Sequence, residues 1–198
     1  MKKIKFSFYF IIFILILKVN TYADNFKIKK ITNLEAPWGM SFINNNEIII
    51  SGQNGKLNIV NTTSGKKNLV KHNLNFIKIG QGGLLDIIYK NNFVWISYSE
   101  IREKWEANGF FGTITSTSIA RGKLNKKKIY FKNIFQAEPP FETPQHFGSR
   151  LEIKDNYLFA SIGERGKGMI AQDPTKHPGS IIRIHLNGSV PKDNPKFE

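Results

Sequence analysis

SFINNNEIIIS at 41–51, IIYKNNFVWIS at 87–97 and LEIKDNYLFAS at 151–161 repeat one pattern. Each is an apolar run, a polar turn ending in Asn46, Asn92 or Asn156, and a second run closed by Ser51, Ser97 or Ser161. The runs are rich in β-branched and aromatic residues, as strands prefer. Asn suits the turns because it tolerates positive φ. A third strand follows each hairpin: GKLNIVN from Gly55, SIARGKLN from Ser118 and SIIRIHLN from Ser180. Outer fourth strands are expected at Lys67–Val70 and Ile129–Phe135. A meander repeated this literally is the signature of propeller blades, so the fold class is an all-β β-propeller, with just under three four-stranded antiparallel blades in this chain. The alternating segment Phe26–Ile31 reads as an outer strand that closes such a ring.

Residues 1–23 have the form of a secretory signal: Lys2, Lys3 and Lys5, then the apolar stretch Phe6–Leu17, then Thr21-Tyr22-Ala23 before Asp24. The apolar run is shorter than the ~20 residues of a spanning helix, so cleavage is expected and a stable membrane span is not. Residues 24–198 then form the propeller domain of a periplasmic or secreted protein. The chain carries 29 Lys and Arg against 15 Asp and Glu, a formal net charge of +14. Most of the cations are lysines scattered among Asn and Ile, without an arginine cluster or aromatic-basic alternation, so no nucleic-acid partner is expected. There is no cysteine, which excludes disulfides, thiol catalysis and cysteine-based metal sites.

Hairpin geometry places the chemistry-bearing residues. His146 stands about nine residues before the Asp155-Asn156 turn and Glu164 about eight after it, so both emerge at the hairpin end opposite the turn. The same counting puts Gln81 and Ser99 at that end of the preceding repeat, and Trp38 and Gln53 at that end of the first. The two longest connections, Ser99 to Thr117 and Gly163 to Gly179, open on the same face, and long loops in compact repeats usually carry function. Histidine is the side chain best suited to take a proton near neutrality. His72 reads as a surface loop residue and His185 as an outer-face strand residue. GQGG at 80–83 lacks the Lys-Ser/Thr that would complete a phosphate loop.

The segments PWGMSF (37–42), GQGGLLDI (80–87), QHFGSRLEI (145–153), SIGERG (161–166), AQDPTKHPGSIIRI (171–184) and LNGSVPKDNP (186–195) stand in an order and at separations that resemble the pyrroloquinoline-quinone-dependent soluble aldose (glucose/sorbosone) dehydrogenases. The resemblance covers nearly everything after residue 30 and implies a six-bladed propeller of which this chain supplies the N-terminal half. It implies oxidation of an aldose to a lactone, with hydride passing to the quinone and then to an unknown electron acceptor. His146 matches the catalytic base, Glu164 the acid that orients it, and Gln81 a polar contact to sugar or cofactor, with Gly82 and Gly83 letting a flat ligand approach. Gln145 stands where the glucose-oxidising branch has an acid, which points to the substrate contacts of the broader aldose branch. Trp38 either walls the cofactor or is buried between blades. His177 either binds ligand or braces its loop, Arg150 pairs locally, and Ser180 replaces a commonly basic residue. No metal ligand is assigned: the family's calcium ligands and its principal quinone-binding residues correspond to sequence beyond residue 198. The rival expectation is a non-catalytic propeller fragment that binds a glycan or another protein.

Overall fold

A computed structural model describes residues 27–195, in which strands dominate and the one helical element is a 3-10 turn at Gly168–Gln172. Twelve strands follow in chain order: β1 (Pro37–Asn44), β2 (Glu47–Gly52), β3 (Leu57–Asn61), β4 (Lys67–His72), β5 (Leu84–Lys90), β6 (Phe93–Ala107), β7 (Phe110–Lys123), β8 (Lys128–Ile129), β9 (Phe131–Gln136), β10 (Gly148–Lys154), β11 (Tyr157–Ile162) and β12 (Ile181–His185). They form three meanders, β1-β2-β3-β4 with β8 at its edge, β5-β6-β7-β9, and β10-β11-β12. These are the blades that the repeated hairpins announce.

Two-residue turns join the repeated strands, with Asn44 opposite Glu47, Lys90 opposite Phe93 and Lys154 opposite Tyr157. The turn chemistry differs among them. Asn91 and Asn92 both have positive φ, as does Asp155 rather than Asn156, whereas the first turn is held by Asn44 Oδ1 accepting from the Asn46 amide at 2.9 Å. Period-2 alternation then sends side chains of one strand into two different cores. From β6, Val94, Ile96 and Tyr98 pack with Ile49, Leu57 and Ile59 of the first blade. Trp95 points the other way, against Leu151, Leu158 and Ile184 of the third. The core therefore lies between blades, and burying apolar side chains there drives the sheets to stack.

The serines that close each hairpin explain why the pattern includes them. Ser51 Oγ accepts from the Gly39 amide at 3.1 Å and donates to Leu85 O of the second blade. Ser97 Oγ accepts from the Asp86 amide at 3.0 Å and donates to Ser149 O of the third blade at 2.7 Å. Each hydroxyl stitches its own hairpin and ties it to the innermost strand of the next blade. Ser161, at the equivalent place in the third blade, accepts from the Arg150 amide at 3.0 Å.

Several expectations change. Lys27–Leu34 carries no strand, and Phe26 lies outside the described residues, as does the whole of the expected signal at 1–23. Strand geometry needs a ladder partner, and no described strand pairs with this segment. The expected outer strand Ile129–Phe135 is divided: Lys128–Ile129 pairs in parallel with β4, while Phe131–Gln136 pairs with β7. Ser99–Thr117 is not a loop, because β6 and β7 continue past the blade as a paired ribbon to Ala107 opposite Phe110. Its turn is Asn108-Gly109, both at positive φ, the strongest short hairpin signal there is. No helix among the described residues is long and apolar enough to cross a membrane.

Candidate active site

The loops leading into the blades interlock at one rim. Gln53 Nε2 donates to Gly80 O at 3.2 Å, Gln81 N donates to Pro144 O at 2.9 Å, and Gln81 Oε1 accepts from the His146 amide at 2.9 Å. His146 Nδ1 in turn meets Glu164 Oε1. Thus Gln53, Gln81, His146 and Glu164, drawn from three blades, lie in one continuous chain of contacts. Counting residues from the turns had placed them there.

His146 sits just before β10 with φ of 51°, a left-handed conformation that non-glycine residues adopt at a cost. Two neighbours fix it. Gly163 N donates to Phe147 O at 3.1 Å and Arg165 N to His146 O at 3.3 Å. The approach requires glycine at 163, where a Cβ would lie 1.9 Å from His146 O. A bulge in β10 between Gly148 and Leu151 then returns the chain to the ladder.

The imidazole is 46% exposed and the Glu164 side chain 29% exposed, so the pair is open to solvent on one side. Glu164 Oε1 also accepts from the Gly166 amide at 3.0 Å. The hydrogen bond from His146, aided by backbone amides of Glu164 itself and Gly166, holds the carboxyl below the usual carboxylate range. An ionised acceptor on Nδ1 keeps the ring proton there and leaves the lone pair on Nε2. The arrangement can accept a proton at Nε2 and stabilise the resulting imidazolium through Glu164.

Other candidates lie outside this chain of contacts. Trp38 is 52% exposed, so burial between blades is overturned: the bulge between Pro37 and Gly39 takes it out of the ladder. Gln145 is exposed, and its carbonyl accepts from Arg165 Nε at 3.0 Å. The space beside Gly82 and Gly83 is filled by the protein itself, since a Cβ at 82 would meet Ser99 Oγ at 2.7 Å and one at 83 would meet Gln53 O at 2.0 Å. Gly82 thus packs against β6 of its own blade and Gly83 against the first blade. His177 braces: its Nδ1 accepts from the Glu138 amide at 2.9 Å while its own amide donates to Glu138 O at 3.0 Å. Burial lowers its pKa. Ser180 Oγ donates to His177 O at 2.6 Å, a purely local contact. Arg150 Nε lies 3.5 Å from Asp86 Oδ2. His72 is no surface loop residue, since it ends β4 with Nε2 2.8 Å from Gly55 O and its ring against Phe76. His185 lies against Tyr157, with ring centroids 5.1 Å apart.

The sequence reading missed Thr115, Thr117, Thr143 and Arg165. Thr117 Oγ1 donates to Phe147 O at 2.6 Å, and Thr143 Oγ1 to Arg165 O at 2.6 Å. The one signal for Arg165 was its place beside Glu164 between two glycines. A cavity of about 690 Å³ lies away from this rim, along the third blade, lined by Phe135, Phe159, His177, Ile181, Ile184 and Val190 among others. It contains none of the interlocked rim residues. Among the described residues, no group of three or more His, Asp or Glu side chains could hold a metal ion.

The Glucose / Sorbosone dehydrogenase family model matches residues 34–198. Aldose sugar dehydrogenase YliI of Escherichia coli is 30% identical over 172 residues, which span 82% of this chain and 44% of that protein. Quinoprotein glucose dehydrogenase B of Acinetobacter calcoaceticus is 26% identical over 208 residues, 88% of this chain and 42% of its own length. The crystal structure of the soluble aldose sugar dehydrogenase from Escherichia coli in its apo-form superposes with a TM-score of 0.72 at 30% identity, covering 82% of this chain and 47% of that one. The chain therefore spans less than half the length of these relatives.

Proposed function

Since the chain belongs to the glucose/sorbosone dehydrogenase family, we propose that it takes part, as an exported protein in the periplasm or outside the cell, in oxidising an aldose sugar to its lactone with pyrroloquinoline quinone. The observation that carries this reading is the His146–Glu164 pair, with Nε2 free of any partner among the described residues on a half-exposed ring whose backbone amide is held by Gln81.

The rim suits a quinone on chemical grounds. With Gln81 Oε1 engaged by the His146 amide, its NH2 group remains available as a donor, and the half-exposed Trp38 ring offers a flat apolar surface. When bound, the quinone supplies the acceptor for the hydride that leaves the anomeric carbon. His146 Nε2 takes the hydroxyl proton as the anomeric C–O bond becomes C=O, and Glu164 stabilises the imidazolium so formed. The Gln81 and Gly163 contacts hold the base in place, so little reorganisation accompanies proton transfer. Calcium finds no matching cluster of donors among the described residues, and no step is assigned to it.

The test is dye reduction by purified protein supplied with quinone, calcium and an aldose. Reduction is expected only with all components, and His146→Gln should lower kcat by about 100-fold or more, the usual contribution of a positioned general base. Sugar-independent dye reduction, or a His146→Gln protein as fast as the parent, refutes the proposal.

A further inference from the structure

Arg165 is only 2% exposed, yet none of the ion pairs found among the described residues includes it. Its guanidinium is surrounded by neutral acceptors. Nε donates to Gln145 O at 3.0 Å, Nη1 to Thr115 O at 3.0 Å, and Nη2 to Thr115 Oγ1 at 2.9 Å and to Thr143 O. The face of the group lies 3.8 Å from the Phe147 ring centroid. Burial lowers its pKa to about 10, so it stays charged at neutrality. Filling this space with a cation is expensive, and an apolar side chain would serve packing alone. What only a planar fork can do is join three carbonyls at once.

Those carbonyls belong to two separate segments. Thr143 and Gln145 lie in the loop that presents His146, and Thr115 lies on β7 where the projecting ribbon leaves the blade. Arg165 is also the residue after Glu164, its amide donates to His146 O at 3.3 Å, and its carbonyl accepts from Thr143 Oγ1 at 2.6 Å. Both His146 and Arg165 have left-handed φ, 51° and 58°, conformations that persist only where the surroundings impose them.

We propose that Arg165 is a positioning residue: its buried fork clamps the 143–146 loop to the 164–166 turn and to β7, and so sets the contact between His146 Nδ1 and Glu164. The inference rests on the reading of His146 as the base. It concerns geometry present without sugar or quinone.

The experiment uses protein labelled with nitrogen-15 histidine, with the His146 signals assigned by their loss in His146→Gln. The parent should show His146 protonated on Nδ1 in its neutral form. Arg165→Met should melt cooperatively yet show His146 with the mixed tautomers of a solvated imidazole. Arg165→Lys, which keeps the charge and loses the fork, should behave like Arg165→Met. Leu158→Ala, a core change away from the loop, should lower the melting temperature and leave the tautomer unchanged. The proposal is overturned if folded Arg165→Met retains the parent tautomer, if Arg165→Lys does so, or if Leu158→Ala loses it equally. Should Arg165→Met not fold, Thr115→Val removes one acceptor of the fork and must still reduce the Nδ1-protonated fraction; an unchanged fraction overturns the clamp. In quinone-supplied protein kcat should fall on the order of 100-fold in Arg165→Met. Absence of activity in the parent would remove the proposed function while leaving the tautomer result to judge the clamp.

Discussion

The serine stitches allow one substitution to be compared at three equivalent places. Ser97 is fully buried, and Ser97→Ala strips a donor from Ser149 O and an acceptor from the Asp86 amide, on residues that are 1% and 6% exposed. Leaving buried polar groups unmatched costs about 1–3 kcal/mol. For a domain of this size each kcal/mol moves the midpoint by roughly 2–4 °C, so the melting temperature should fall by about 2–12 °C. Ser51→Ala removes the same pair of bonds, to the Gly39 amide and Leu85 O, and should match it. Ser161 is half-buried and accepts from the amide of an exposed residue, Arg150, where water can substitute. Ser161→Ala should therefore cost no more than about 1 kcal/mol. Thermal unfolding followed by circular dichroism gives all three values. If Ser161→Ala falls as far as Ser97→Ala, or Ser97→Ala melts with the parent, the hydroxyls do not tie the blades together and the account of the repeat is wrong.

Gly163→Ala places a Cβ 1.9 Å from His146 O and should cost about 1–3 kcal/mol by overpacking while displacing the His146 ring signals; unchanged melting and unchanged signals would refute the close approach. Because burial lowers the pKa of His177, the folded state favours its neutral form, so stability is complete above the ordinary value of 6.5 and is lost as pH falls below it. His177→Gln should flatten that dependence below about pH 6.5, and an identical slope in both proteins would remove His177 as its source. Glu164 shifts down through its bond from His146, so its stabilising contribution is present above 4.5 and disappears as pH falls through its lowered folded value. Glu164→Gln should show no such loss, as acid titration of the melting temperature would reveal.

Much of the rim is legible in the sequence because it follows from counting. Side chains alternate along a strand and a two-residue turn fixes the register, so residues at nearly equal distance from Asp155-Asn156 meet at the far end of the hairpin, the bulge between Gly148 and Leu151 taking up the one-residue difference. His146 and Glu164 meet for that reason. The ribbon from Ser99 to Thr117 was also legible, through Asn108-Gly109, but its length suggested a loop. The exposure of Trp38 and the packing of Gly82 and Gly83 were not legible, because a bulge between Pro37 and Gly39 and the contacts with Ser99 and Gln53 decide their surroundings, and neither is expressed in local sequence.

The chain by itself determined the meanders, their order and the end of each hairpin at which the histidine and the carboxylate appear, since dihedral preference, alternation and turn chemistry act over a few residues. Only the folded arrangement decided which carbonyl each closing serine reaches, which contacts hold His146 in its left-handed conformation, and that Arg165 is buried among neutral acceptors. Those partners come from elements as far as 65 residues away, as Gln81 is from His146, and stacking of one sheet on the next brings them within bonding distance.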